Sequence, residues 1–370
     1  MGAQVSLRQL SIHRVRNLRQ VVLRDLGRVN ICHGENGSGK TSVLEAIHLL
    51  GMARSFRGNS PRTLITHGEA DCVVQGFVGS EGGPRIALGI QRYQSGELDL
   101  RIQGGGARAV AELVEHLPLQ VVNADSFALL MGAPAARRQY LNWGVFHVEH
   151  GFFPEWQSFQ RCIKQRNAGL RRDKLAHREL SVWTRELARS GQQLNDYRQV
   201  YFTALAPRFR TIMSRLLPSV EQLELRLRQG WDRRMTYAEA LAATEASDRE
   251  KGFTQVGPQR ADIKVTTQGR PAEDVLSRGQ QKLVVCGLKI AQGLLMQELG
   301  KGICTYLVDD LPSELDRTHC RRVCEELQQL GAQVVITCID STDIQALWPG
   351  KKEELTMFHV KHGEVSGSPR

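Results

Sequence analysis

The sequence predicts an α/β protein: a mixed central sheet carrying a phosphate-binding loop, an antiparallel lateral sheet, and a helical insertion. Three patterns lead there. An apolar run at residues 29–32 is followed by Gly34-Glu35-Asn36-Gly37-Ser38-Gly39-Lys40-Thr41 and then by the helical spacing of Val43, Leu44, Ala46, Ile47 and Leu50. Residues 71–79, 86–92 and 98–103 alternate apolar and polar between Gly-rich turns, as antiparallel strands do. From residue 261 onward, strands at 261–267, 305–309 and 333–338 alternate with helices at 279–299 and 316–330, the order a parallel sheet needs.

The remaining elements follow in chain order. Residues 5–12 and 21–25 read as strands by β-branched content. From 127 to 217 the spacing turns helical, and Phe152, Trp156 and Phe159 share one helical face suited to core packing. Gly257-Pro258 marks a return. Residues 1–125 and 255–370 are therefore expected to form a core domain, with 126–254 a helical insertion lobe. Its apolar positions do not sustain heptads, so no long coiled coil is expected.

Composition narrows the function. A chain of 370 residues, 41% hydrophobic, suffices for one large domain with an insertion or for two domains. A formal charge of +10 and a pI near 9.4 point to an anionic macromolecular partner, either nucleic acid or a membrane surface. No run approaches the roughly 20 apolar residues of a membrane span, and the N-terminus lacks a long apolar core, so a cytoplasmic protein is expected. Eight cysteines without a C-x-x-C pair read as reduced core thiols. Cys320 and Cys324 lie one helical turn apart but lack a second ligand pair, and His147 with His150 lacks a third ligand, so packing and polar surface are the expected roles.

The glycines of residues 34–39 let successive backbone N–H groups turn inward around a phosphate, and the helix opening at Lys40 adds the positive end of its dipole. Lys40 suits the β- and γ-phosphates of ATP, and the Thr41 hydroxyl suits Mg²⁺. Thr305-Tyr306-Leu307-Val308-Asp309-Asp310 is an apolar strand ending in two carboxylates. Asp309 is placed to hold Mg²⁺ through water and Asp310 to orient an attacking water. Leu276-Ser277-Arg278-Gly279-Gln280-Gln281 opens another helix, either as an ordinary N-cap or as a second anion-receptive terminus. One ATP does not need both. The redundancy makes sense if the Ser277 and Gly279 site of one subunit closes on the γ-phosphate held by Lys40 of another, in a two-fold dimer.

In this order the three motifs resemble those of the ATP-binding-cassette ATPase superfamily: a Walker A loop, an LSxGQ signature and a Walker B strand. Ser313-Glu314-Leu315-Asp316 fits its D-loop. Within that superfamily the chain, from about residue 5 to 363, is similar to the RecF family of bacterial recombination mediators. The resemblance is carried by Val15-Arg16-Asn17-Leu18-Arg19, Ala53-Arg54-Ser55-Phe56-Arg57, Gly132-Ala133-Pro134 through Arg137-Arg138, and Leu141-Asn142-Trp143-Gly144-Val145-Phe146-His147. It continues in Lys164-Gln165-Arg166-Asn167-Ala168 and Gly257-Pro258-Gln259-Arg260-Ala261-Asp262.

This resemblance implies an ABC-ATPase-like head without long coiled coils, binding ATP and Mg²⁺ and acting on DNA at single-strand gaps and single/double-strand junctions. It implies that RecO and RecR are helped to place RecA, in DNA repair, replication restart and the SOS response, with weak DNA-stimulated ATP turnover and an ATP-dependent homodimer. By position, Arg16 and Asn17 lie near the nucleotide, and Ser277, Gly279 and Gln280 reach across the dimer. Two departures bear on mechanism. Asp310 stands where transporter cassettes usually have Glu, one methylene longer, which predicts slow hydrolysis. The segment at 334–338 has no switch histidine, leaving Thr337 or Asp340 to stand in. Asn123 falls where a Q-loop residue is expected.

The richest basic stretch runs through Arg161, Lys164, Arg166, Arg171, Arg172, Lys174 and Arg178, and is either a DNA-phosphate surface or a solvated helix face. Arg54, Arg57 and Arg62 form a second group, which suits DNA contact, loop orientation or ATP neutralisation. Two other function classes remain. An energising transporter subunit is disfavoured by the missing switch histidine, and a DNA-associated structural protein would bind ATP but barely turn it over.

Overall fold

Short β-branched runs flanked by polar turns form the sheets, and the largely apolar helix Lys40–Met52 is buried. The structure, a computed structural model, describes residues 6–58, 60–80, 82–107, 109–171 and 177–367. It divides into two units, Met1–Phe127 with Arg278–Arg370, and Ala128–Ser277.

The first unit holds two six-stranded sheets. In the central sheet the spatial order is Glu364–Gly367, Leu355–Lys361, Val29–His33, Gln333–Cys338, Thr305–Val308 and Leu119–Val122. All neighbours are parallel except the Glu364–Gly367 edge, which returns by a hairpin. The register pairs Thr337 with Cys32 and Val308 with Ile336. The carboxyl ends of three strands therefore finish side by side, where a parallel sheet places its ligands. The lateral sheet is antiparallel throughout, in the order Leu18–Leu23, Ser6–Val15, Asp71–Gly79, Arg85–Tyr93, Leu98–Ile102 and Gly105–Gly106.

The helix Lys40–Met52 is buried along nearly its whole length, in keeping with its apolar composition. Gly76 of the lateral sheet permits that approach, since a Cβ there would lie 2.7 Å from Leu50 Cδ2 and 2.9 Å from Leu7 Cδ1. Gln333 ties the sheets together: it accepts from Leu7 N at 2.8 Å and donates to the carbonyls of Leu7 and Gly27 at 2.8 and 2.9 Å. Arg317–Gln329 shows the complementary pattern, burying Cys320, Val323, Cys324 and Leu327 on one stripe, with Asp316 accepting from His319 N at its start. All eight cysteines are buried free thiols. Burial pushes Cys32, Cys286, Cys320, Cys324 and Cys338 up to about 12, which keeps them protonated and unreactive. Among the described residues, no helix is long and apolar enough to cross a membrane.

His48, on the buried helix, directs Nδ1 at the Arg54 carbonyl at 2.7 Å. A carbonyl only accepts, so Nδ1 carries the proton, and burial lowers the imidazole from 6.5 to about 4. The unfolded chain takes up a proton below pH 6.5 that the folded chain refuses. This contribution to stability is complete above 6.5 and is lost as pH falls towards 4, at a limiting slope of about 1.4 kcal/mol per pH unit. A His48→Gln variant is expected to lose less stability than the parent between pH 7 and pH 5, read by urea unfolding. Equal losses would contradict the assignment.

The second unit, Ala128–Ser277, runs past the helical insertion lobe expected at 126–254 and holds strands as well as helices. Its longer helices are Pro134–Val148, Phe152–Leu170, His177–Leu216 and Tyr237–Lys251, and it also holds an antiparallel sheet in the order Arg270–Pro271, Asp262–Thr267, Leu223–Arg228. The signal was present in Leu223-Glu224-Leu225-Arg226-Leu227-Arg228, which alternates strictly and buries every leucine. Asp262–Thr267 pairs with it, so the strand after Gly257-Pro258 stays in this unit and the chain returns to the first unit at Arg278. Phe152 and Phe159 are buried as expected, while Trp156 is half-buried and stacks on Phe153 with ring centres 6.1 Å apart. Gly191 lets Tyr237 into the helical core: a Cβ would fall 2.3 Å from Tyr237 Cε1.

Candidate nucleotide-binding site

The loop at residues 34–39 joins the end of Val29–His33 to the helix beginning at Lys40. Gly34, Gly37 and Gly39 have φ of 151°, 78° and 119°, values that L side chains rarely adopt. Two of them are also crowded. A Cβ on Gly34 would meet the Val360 carbonyl oxygen at 2.2 Å, and one on Gly39 would meet Leu18 Cδ2 at 2.9 Å.

The loop's outer carbonyls are held from behind. Asn17 Nδ2 donates to the carbonyls of Gly37 and Ser38 at 3.3 and 3.1 Å, Gly363 N donates to Ser38 O at 2.9 Å, and Ser42 Oγ donates to Asn17 Oδ1 at 2.9 Å. Arg16, beside Asn17, donates two hydrogen bonds to Glu45 at 2.9 and 2.8 Å. Glu45 is fully buried on the loop helix and also accepts from Ser55 Oγ. This partly buried ion pair fixes the turn carrying Asn17, and hence the loop. Its partners lie 29 residues apart, so no local motif reveals them.

The catalytic candidates converge at the carboxyl edge of the central sheet. Lys40 Nζ donates to the carbonyls of Gly34 and Glu35 at 2.7 and 2.8 Å. Thr41 Oγ1 donates to Asp309 at 3.0 Å, and Thr337 Oγ1 donates to Asp309 Oδ1 at 2.7 Å while accepting from Asp310 N at 2.9 Å. Asp310 has φ of 50°, strained for a residue other than glycine, and Thr337 holds its N–H in place. Of the two residues weighed as substitutes for a switch histidine, Thr337 is the one at the carboxylates. Asp340 instead caps Ser341–Leu347, accepting from Thr342 N at 2.9 Å.

Asn123 does not face the main cavity. It accepts from Ser126 N at 3.0 Å, capping the short turn Ala124–Phe127, and Ala124 lines the cavity in its place. A Thr337→Val variant is expected to keep ATP binding within a few-fold while turnover falls about 10- to 100-fold, because both hydrogen bonds aligning the carboxylates go. Phosphate release and nucleotide binding measured side by side check this; unchanged turnover would sink it.

Around these groups lies a cavity of about 760 Å³ lined by the loop, Arg16, Asn17, Asp309, Asp310 and Thr337, a size typical of small-ligand sites. Arg57 and Arg62 lie on its wall, whereas Arg54 does not. The cradle, the cation and the paired carboxylates fit a nucleoside triphosphate with Mg²⁺.

The chain matches the RecF/RecN/SMC N-terminal domain family over residues 6–365. The DNA replication and repair protein RecF of Stutzerimonas stutzeri (strain A1501) is 49% identical over 362 residues, covering 98% of this chain and 97% of its own. The chain belongs to the RecF family. The RecF of Pseudomonas aeruginosa (strain LESB58) is 48% identical, with 98% of each chain covered. Among solved structures, that of the recombination mediator protein RecF-ATPrS in the RecFOR pathway superposes with a TM-score of 0.85 at 22% identity, covering 100% of both chains. An Smc head bound to the C-winged helix domain of ScpA superposes with a TM-score of 0.59 at 14% identity, covering 98% of this chain and 96% of its own. The fold is thus that of RecF and the SMC head ATPases.

Against this RecF fold, the other expected residues fall as follows. Ser277 is exposed, and Gly279 and Gln280 are half-buried, at the start of the helix Arg278–Glu298. Lys282, one turn on, donates to the Glu314 side chain and carbonyl at 2.5 and 2.9 Å and lies 5.1 Å from the centre of the Phe127 ring. It ties the first turns of the helix Arg278–Glu298 to Glu314, and sequence reasoning missed it because a lone lysine on a helix reads as solvated.

Arg161, Lys164 and Arg171 are exposed, but Arg166 is not. It is fully buried, donating to Asp248 at 2.8 Å and to Thr254 at 2.7 Å, so it is withdrawn as a DNA contact. Arg172 and Lys174 lie outside the described residues, as does the side chain of Arg178. His147 packs against Trp143 and Phe146 with ring centres 4.3 and 5.1 Å apart, and burial pulls its imidazole down to about 3.

Proposed function

We propose that this chain is an ATP-dependent DNA-binding recombination mediator. It acts at single-strand gaps and single/double-strand junctions, where it helps RecO and RecR load RecA in DNA repair, replication restart and the SOS response, in the cytoplasm. The observation that carries this reading is the convergence of Lys40, Thr41, Asp309, Asp310 and Thr337 in one cavity of a chain that aligns almost end to end with RecF proteins.

In this reading the loop N–H groups and Lys40 hold the ATP phosphates, and Thr41 with Asp309 would hold Mg²⁺, which neutralises phosphate charge. Asp310 orients the attacking water. Its short side chain, anchored through its own N–H by Thr337, supports slow hydrolysis, stimulated by DNA. The exposure of Ser277 supports a homodimer in which Ser277, Gly279 and Gln280 read the γ-phosphate held by the partner subunit. Arg161, Lys164 and Arg171 are available for phosphate contacts, which would be salt-sensitive and largely independent of sequence.

The test is binding to gapped duplex, plain duplex and single-stranded DNA with and without ATP and Mg²⁺, with mass read by light scattering. Dimerisation on ATP coupled to tighter binding of gapped DNA is expected. Ser277→Arg should bind ATP normally yet stay monomeric. ATP binding without change in mass or DNA affinity would overturn the reading, and a wild-type dimer from Ser277→Arg would remove the cross-subunit contact.

A further inference from the structure

The second unit holds one short turn with unusual firmness. Pro258–Arg260 forms a 3-10 turn between Gly257 and Asp262. Arg137 grips Asp262 with two hydrogen bonds at 2.6 and 3.2 Å, Arg138 donates to the Ala261 carbonyl at 3.1 Å, and Arg198 donates to the Pro258 carbonyl at 2.9 Å. Gly257 N donates to Gly230 O at 3.2 Å, and the two loop segments approach so closely that a Cβ on Gly230 would lie 2.1 Å from the Gly257 carbonyl oxygen.

Gln259 turns back to donate to Val256 O at 2.9 Å. Arg260 is the exposed side chain of this turn. It projects into a cavity of about 730 Å³ shared with Arg228, Trp231 and Arg233. Asp232, the acidic residue on the wall, is engaged by Arg234 at 2.7 Å. Trp231 is half-buried and fixed, its Nε1 donating to Met235 O at 3.1 Å and its ring 4.9 Å from that of Tyr237.

A rigid indole among three guanidinium groups suits a ligand that alternates anionic groups with flat rings. A duplex hides its rings in the stack, whereas an unpaired strand offers both phosphates and bases. We propose that this cavity is a docking site for single-stranded DNA, with Arg228, Arg233 and Arg260 taking phosphates and Trp231 taking a base face. The proposal rests on the DNA-binding reading above and names where the unpaired strand at a gap is held. The three guanidinium groups supply the affinity, and the indole supplies the preference for unpaired DNA.

The experiment compares the full-length protein with an Arg228→Ala/Arg233→Ala/Arg260→Ala variant, with Trp231→Leu and with Trp231→Phe. Binding to oligothymidine and to blunt duplex is followed by fluorescence anisotropy across a salt series. On single strands, each lost phosphate contact lowers the slope of log K against log salt by about 0.7, so the triple variant should lose about 2 from its slope. Trp231→Leu should weaken oligothymidine roughly tenfold and duplex little, and Trp231→Phe should restore it. ATP binding should match wild type for the arginine variant, and urea unfolding followed in parallel checks that it folds, since Arg233 donates to Leu227 O and Arg260 lies 5.8 Å from the centre of the Phe253 ring.

If wild type binds oligothymidine and the triple variant has the same affinity and slope, the site is wrong while the mediator reading stands. If the arginine variant loses duplex and single strand alike and neither Trp231 variant differs from wild type, the cavity contacts duplex backbone and the single-strand assignment falls. If wild type binds no DNA, the DNA-binding reading itself fails, and this proposal with it.

Discussion

Replacing Lys40 with alanine is expected to cut ATP affinity by at least about 100-fold, roughly 3 kcal/mol, the worth of one or two charge-assisted hydrogen bonds in a water-poor site. Lys40 is only 8% exposed, and its ammonium is already drawn onto the loop through the carbonyls of Gly34 and Glu35. Among the described residues no other lysine lines the cavity, and its arginines, Arg16, Arg57 and Arg62, lie outside the loop, with Arg16 engaged by Glu45. Within the loop nothing replaces the lost charge. Because a ligand that binds only the folded state raises stability by RT ln(1 + [L]/Kd), the ATP-induced rise in melting temperature should vanish in Lys40→Ala. The ligand-free melting temperature should change little by comparison. An undiminished shift with ATP would refute the assignment of this cavity.

Replacing Arg166 with alanine is expected to destabilise the protein by about 3–5 kcal/mol, because it leaves Asp248 buried without its counter-charge. Both side chains of the pair have 0% exposure. Arg166 also donates to Thr184 at 3.1 Å and to Thr254 at 2.7 Å, and Asp248 Oδ1 accepts from Gln255 N at 3.0 Å, so one truncation unsettles groups on several elements. Urea unfolding measures the loss directly. A double variant, Arg166→Met with Asp248→Leu, should recover part of it, since two apolar side chains carry no unpaired charge. If Arg166→Ala kept full stability and only weakened DNA binding, the buried pair described here would be wrong and a surface role right.

Arg166 also shows where reading the sequence stopped. Within the basic stretch from Arg161 to Arg171 it looks like its neighbours, but it sits on the buried stripe of Phe152–Leu170 with Phe159, Cys162 and Leu170. Helical spacing alone could have raised that suspicion. Its partner, 82 residues away on another helix, could not have been named. Thr337 is a milder case. Sequence left it level with Asp340, and parallel pairing of Gln333–Cys338 between Val29–His33 and Thr305–Val308 put Thr337 beside Asp309. The strand Leu223–Arg228 was legible from its alternation and was passed over because the segments before it are helical.

By itself the sequence determined the phosphate loop, the strand that precedes it, the helix that follows it, the paired carboxylates and most strands of both sheets in the first unit. These are local matters. Glycine dihedrals, apolar periodicity and turn chemistry act over a few residues and are written in their order. Only the tertiary structure decided which charges are buried and paired, as in Glu45 with the half-buried Arg16, Arg137 with Asp262 and Arg166 with Asp248. It also decided that the strand at Asp262 belongs with Leu223–Arg228 and not with the central sheet. A charged side chain is tolerated in the interior only where a partner from a distant segment meets it, and the energy of that meeting depends on burial, which no local stretch of sequence specifies.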